Sequence, residues 1–142
     1  MESTPGRRLY LDTSAYLCIL LSEEGGKALS LETEGAELLS SVLLVLEAKR
    51  NLVRLAREGT LSEPQFQACL DRVERDSELF ALHELTLDLC QSNLMPILTT
   101  PRSLDLAHLR TALAFHRADP IDRFLSVDTA QKQAAKELGL PV

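Results

Sequence analysis

Four acids in this chain have the types and spacing to do chemistry: Asp12, Glu47, Asp105 and Asp128. Asp12 closes the run Arg7-Arg8-Leu9-Tyr10-Leu11-Asp12-Thr13-Ser14, and Asp128 closes Phe124-Leu125-Ser126-Val127-Asp128. Each run reads as an apolar strand, an Asp at its end, then a helix. Asp105 falls in the first turn of a helix, and Glu47 sits on the edge of an apolar helical face. Two parallel strands of one sheet bring their carboxyl ends to the same edge, where ligands of open α/β sheets bind. Carboxylates crowded there repel unless protons or cations neutralise them. Mg²⁺ suits such a set, since it takes oxygen ligands at about 2.0–2.1 Å. The absence of paired His or Cys argues against zinc. A carboxylate-held metal polarises a phosphate oxygen, lowers the pKa of a bound water and stabilises the leaving oxygen; two such ions lie about 3.5–4 Å apart.

Each acid also has a simpler account. Asp105 is favoured by the helix dipole, worth roughly 0.3–1 kcal/mol. Glu47 can form a surface i,i+3 pair with Arg50. His108, three residues after Asp105, reads as a hydrogen-bonded structural residue or as a contact to the site, outside the catalytic set. Asp119 and Asp122 flank the last strand, and either could replace Asp128. Asp128 is favoured because it stands at the strand's end.

The elements that must position these residues follow from periodicity and caps. Residues 9–11 read as a buried strand. Ser14 can cap the next helix, whose apolar positions are Ala15, Leu17, Cys18 and Leu21. A short helix spans 27–33, and a short strand 36–40. The strongest helical pattern covers 41–57, with Leu44, Ala48, Leu52 and Leu55 on one face and Gly59 as its stop. Ser62 caps a helix reaching about residue 78, with Pro64 in its first turn and Phe66, Cys69, Leu70 and Val73 inward. Residues 80–85 form a strand or a connector. Thr86 starts a helix through Leu94, and 95–101 is a break. Ser103 caps a helix ending near His116. Residues 121–127 read as a strand, 130–138 as a helix stopped by Gly139, and 140–142 as a final edge strand. The expected fold is α/β: a small parallel sheet flanked by helices, one domain over 1–142 with residues 1–6 loose.

Composition bounds the rest. The 142 residues are 45% hydrophobic and 25% charged, an ordinary globular balance. Trp is absent and aromatics are 4%, so the core is expected to be built mainly from Leu, Val, Ile and Ala. The net charge is −6, from 21 acids against 15 bases, which is not the usual balance of a nucleic-acid binder. Four acids gathered for a metal would account for much of that excess, and bound cations would reverse the local field. Cys18, Cys69 and Cys90 are odd in number and form no C-x-x-C pair, which argues for reduced cysteines in the cytoplasm rather than disulfides or zinc. Residues 7–21 loosely resemble a signal peptide, but Asp12 interrupts the apolar run and no cleavage site follows. No apolar run approaches roughly 18 residues, so no membrane span is expected.

Taken together, Leu11-Asp12-Thr13-Ser14, Glu47 after Ser41-Val42-Leu43-Leu44-Val45-Leu46, Ser103-Leu104-Asp105-Leu106-Ala107-His108-Leu109, Phe124-Leu125-Ser126-Val127-Asp128 and Ala134-Ala135-Lys136-Glu137-Leu138-Gly139-Leu140 resemble the PIN-domain ribonucleases, specifically VapC-type toxins of toxin–antitoxin pairs. The resemblance covers nearly the whole chain, through the order and spacing of its pieces. It implies a PIN-like fold and carries Asp12, Glu47, Asp105 and Asp128 over as the acidic metal-binding quartet. Thr13, Ser14 and Ser126 match small hydroxyl positions that line or support such sites. The implied activity is Mg²⁺- or Mn²⁺-dependent cleavage of RNA, with an ion among Asp12, Asp105 and Asp128 activating water and Glu47 completing the shell or orienting that water. The implied partners are a second copy of the chain and a cognate antitoxin whose C-terminal segment covers the site. Arg50, Arg54, Arg102 and Arg110 are candidates for steering the RNA backbone, or are solvated helix charges.

Other classes are weaker matches. A haloacid-dehalogenase-type phosphatase also opens with an Asp after its first strand, but wants a second Asp two positions on, where this chain has Ser14. A receiver-type phosphoacceptor needs a Lys near the end of the last strand, and none occurs between Lys49 and Lys132. A PIN fold used only for binding is the non-enzymatic alternative, and the intact set of acids speaks against it.

Overall fold

The computed structural model describes residues 6–92 and 102–142. The strands are β1 (Arg8–Leu11), β2 (Glu37–Ser41), β3 (Ala81–His83) and β4 (Arg123–Leu125). Between and after them run α1 (Thr13–Leu20), α2 (Gly26–Thr33), α3 (Leu43–Arg57), α4 (Glu63–Leu79), α5 (Leu87–Gln91), α6 (Ser103–Ala118) and α7 (Thr129–Glu137). The strands form one sheet in the order β3-β2-β1-β4, and all three pairings are parallel. The architecture is α/β, with helices on both sheet faces, as the alternation of elements predicts.

Side-chain alternation along β1 explains why Leu9, Tyr10 and Leu11 are apolar without a break. Leu9 and Leu11 enter a core shared with Ala15 and Tyr16 of α1, Leu44, Ala48 and Leu52 of α3, and Val73 of α4. Tyr10 points the other way, into a core with Leu39, Leu109 and Ala112 of α6, Phe124, and Ala134 and Ala135 of α7. A parallel sheet covered on both faces requires such a strand. Tyr10 stacks nearly parallel on Phe124, with ring centroids 5.4 Å apart.

Strand order matters for function. The chain steps from β1 to β2 to β3 on one side, then returns to place β4 on the other side of β1. The order therefore reverses at β1, opening a crevice at the carboxyl ends of β1 and β4.

Several boundaries differ from the sequence-based expectation, each for a local reason. Asp12, not Ser14, caps α1: its side chain accepts from the Ala15 N–H, while its own N–H still bonds Leu125 O in the β1–β4 ladder. Arg102 holds the cap position of α6 without a side-chain bond, and Ser103 is the first helical residue. The expected strand 121–127 shortens to Arg123–Leu125, because the Ser126 hydroxyl accepts the Asp128 N–H and bends the chain. Helix α3 starts two residues late; Val42 donates its N–H to His83 O, and the Ser41 hydroxyl accepts the Leu43 N–H. Residues 140–142 form no strand: one bond, Phe124 N–H to Pro141 O, ties the tail to β4, and a proline has no N–H to extend a ladder. Thr86 caps α5 as expected, but the helix stops at Gln91. Ser62 caps α4 in a full capping box with Gln65. The expected loose start at 1–5, the helix end at 93–94 and the break at 95–101 lie outside the described residues. Among the described residues, no helix is long and apolar enough to cross a membrane.

Candidate active site

The two strand-end acids are fixed by the helices they start. Asp12 is buried, and its Oδ1 accepts the Ala15 N–H at 3.0 Å and the Ser14 hydroxyl at 2.7 Å. Asp128 caps α7, and its Oδ1 accepts the N–H groups of Ala130 and Gln131 at 2.9 and 3.2 Å. In both, the capping bonds fall on one carboxylate oxygen. Ser14 and Ser126 join the strand ends, their hydroxyls 3.1 Å apart, and Ser14 Oγ also accepts the Val127 N–H.

Glu47 reaches the same place from α3. Its Oε1 accepts the Thr13 hydroxyl at 2.7 Å and lies 2.8 Å from His108 Nε2. Asp105 enters from the first turn of α6, where its backbone carbonyl accepts the Gln131 side-chain amide and ties α6 to α7. All four acids line one cavity of about 230 Å³, together with Thr13, Ser14, Leu17, Asn51 and His108. Outside it lies a larger depression of about 820 Å³, in which Glu47, Asp105 and Asp128 meet Arg50 and Arg102.

The electrostatics differ from acid to acid. Burial pushes Asp105 above the usual carboxylate range, and the charges of Asp128 and Glu47 push the same way. Burial also raises Asp12, against the hydrogen bonds from Ser126, Ser14 and the Ala15 N–H. Burial alone would raise Glu47 too, but the bonds from His108 and Thr13 outweigh it and hold that carboxyl below its usual value. Asp105 is thus the group in which like-charge pressure is least relieved; among the described residues no donor bonds its carboxylate.

That pressure has a measurable consequence. A carboxyl whose folded pKa is raised contributes stability below the unfolded value that is lost as pH rises through the folded one. Asp105→Asn removes this loss, so in EDTA at neutral pH the variant melts above wild type, by a gain of no more than about 1 kcal/mol because the group is partly solvated. The difference closes as pH falls below the ordinary Asp range, and thermal melts at pH 3 to 8 check it. Divalent cations reverse the order if the carboxylate holds one.

Whether these residues suit a metal is a question of donor type and reach. Among the described residues, no group of three or more His, Cys, Asp or Glu is drawn together as a finished cation cage. Magnesium does not need one: it commonly uses one or two carboxylates and keeps several waters. The donors are oxygens, and burial with the charges of Asp128 and Glu47 disfavours the Asp105 carboxylate more than His108 and Arg102 favour it, a pressure that a cation would relieve. The chemistry of the set therefore fits a hard divalent ion.

Not every candidate is brought to the crevice. Arg54 turns to Glu58 and Asn51 on the exposed side of α3. Arg110 points away, its guanidinium donating to the carbonyls of Leu89 and Cys90 and clamping α5 onto α6. Of the four arginines, Arg50 and Arg102 alone line the acidic depression. Asp119 and Asp122 lie at the opposite end of the strands: Asp122 accepts the Arg8 N–H at 2.7 Å, and Asp119 pairs with the Arg8 guanidinium. Because β4 runs parallel to β1, a residue preceding β4 sits beside the start of β1, away from Asp12.

Two polar residues of the cavity, His108 and Asn51, stood outside the set expected from the sequence. His108 is the more consequential, because its Nε2 meets the Glu47 carboxylate. Asn51, one turn beyond Glu47, lines the cavity and donates to the Glu47 carbonyl at 2.9 Å. The helical spacing from Glu47 and from Asp105 was the signal available for each. No protein-family model and no curated protein matches the chain.

Proposed function

We propose that the protein is a metal-dependent endoribonuclease of the PIN-domain, VapC-like kind, using Mg²⁺ or Mn²⁺. One observation carries the reading: carboxylates from four separate segments line a single cavity at the crevice where the strand order reverses. Bound there, the ion supplies Lewis acidity toward a phosphate and a water of lowered pKa.

The chain's own residues do the rest. Asp12 and Asp128 hold the ion from two strand ends that Ser14 and Ser126 keep in register. Asp105 and Glu47 approach from two helices. Arg50 and Arg102 place the phosphate backbone beside the acids, against an otherwise repulsive local charge. His108 offers no free ring nitrogen, since Tyr10 takes one side and Glu47 with Thr13 the other. The donor set is therefore all oxygen, which favours magnesium or manganese over zinc. The same reading brings with it a homodimer and a cognate antitoxin whose C-terminal segment covers the cavity.

The test uses the purified protein freed of any partner. Calorimetry with MnCl₂ and MgCl₂ shows saturable binding, and cation at about 100 times its Kd raises stability by about 2.7 kcal/mol. A labelled RNA is cut in the presence of either cation and left intact in EDTA. Absence of metal binding overturns the proposal.

A further inference from the structure

We propose that His108 is a positioning residue for this centre, acting through Glu47; the inference rests on reading the acidic cavity as a metal site. His108 is 2% exposed, and both of its ring nitrogens are engaged. Nδ1 lies 2.8 Å from the Tyr10 hydroxyl, and Nε2 lies 2.8 Å from Glu47 Oε1 and 3.0 Å from Thr13 Oγ1. A carboxylate only accepts, so the proton on this side belongs to Nε2. The Thr13 hydroxyl spends its single proton on the same Glu47 oxygen. Side chains from α1 and α6 therefore converge on Oε1. Among the described residues no donor reaches Oε2, which leaves that oxygen to serve the cavity.

The anchor behind His108 is rigid. Tyr10 is fully buried on the central strand, stacked on Phe124 and edge-on to the His108 ring. The orientation of a glutamate on α3 is thus referred back to β1, the strand that carries Asp12. A glutamate side chain has three rotatable bonds, and leaving it free would cost the centre both order and affinity. Packing alone does not account for a buried imidazole edge aimed at a half-buried acid.

Two substitutions separate the sides of the ring. His108→Gln puts an amide where Nε2 stood and keeps a donor for Glu47. His108→Asn puts its amide where Nδ1 stood, keeping a partner for Tyr10 but falling short of Glu47. Calorimetry with MnCl₂ is expected to give the Gln variant an affinity within about 3-fold of wild type and the Asn variant a loss of about 10–100-fold, the range for outer-shell partners of metal ligands. In a Glu47→Gln background, His108→Asn should cause no further loss. An Asn variant that binds Mn²⁺ like wild type, Gln and Asn variants weakened alike, or an additive loss in the Glu47→Gln background would each overturn the inference. Wild type that takes up no Mn²⁺ removes the metal reading itself, a different result from any of these.

A measurement on wild type covers the case in which the Asn variant does not fold. In ¹⁵N-histidine NMR, the His108 Nε2–H signal should shift on Mg²⁺ addition with the calorimetric Kd, and the shift should vanish in Glu47→Gln. A His108 signal indifferent to Mg²⁺, in a protein that binds the ion, overturns the inference.

Discussion

Asp12→Asn is expected to lower divalent-dependent RNA cleavage by at least about 10²–10³-fold, the scale on which preorganised electrostatic groups act. The fold should survive. Asp12 caps α1 through Oδ1, and Asn serves the same position nearly as well. The Asn amide oxygen can take the Ala15 N–H. What disappears is a buried negative charge. Burial raises the Asp12 pKa, so the charged form costs the folded state stability at pH above the ordinary carboxylate range. That penalty is absent below the unfolded value and grows as pH rises through the folded one, and the Asn variant is exempt from it. Its melting temperature in EDTA should therefore equal or exceed that of wild type at neutral pH. Cleavage assays paired with circular-dichroism melts check both halves. Full activity in a folded variant would remove Asp12 from the reaction.

Leu11→Ala should do the opposite, costing stability while leaving the chemistry per folded molecule intact. Leu11 is fully buried between the sheet and the α1–α3 layer, opposite Leu125 in the ladder. Truncating a closed core leucine costs about 2–5 kcal/mol, from the lost transfer energy and the cavity left behind. Against a total of about 5–15 kcal/mol, that is a large fraction. At this chain length it corresponds to a fall in Tm of about 10 °C. Leu46→Ala is the control: that side chain is 67% exposed and should change stability by less than about 0.5 kcal/mol. Urea unfolding with a shared m-value separates the two. A Leu11→Ala loss below about 1 kcal/mol would mean that this part of the core readily collapses around the gap.

The contrast between these adjacent residues shows what was legible in the sequence. Leu11 was readable because a short apolar run between polar flanks leaves little choice but a buried strand. Asp12 was readable because an acid at that boundary can both end a strand and start a helix; the same grammar recurs at Asp128. The apolar face of α3 and the Ser62 cap are likewise local, resting on interactions three or four residues apart. The cap of α1 was less legible, because Asp12 and Ser14 are both capping types. The choice between them depends on where the ladder with Leu125 ends, a partner 113 residues away in sequence.

By itself, then, the chain determined most of its elements, its apolar faces and the four acids worth watching. Only the tertiary structure decided which charges share a cavity. Arg50 and Arg102 reach it while Arg54 and Arg110 do not, and Asp119 and Asp122 fall at the far end of the sheet. It also bonded His108 to Glu47 across 61 residues. The physical reason is that periodicity records which face of an element is apolar, whereas the neighbour of that face is chosen by packing between distant segments. Here that choice placed β4 beside β1 and so brought the acids of both strand ends to one rim.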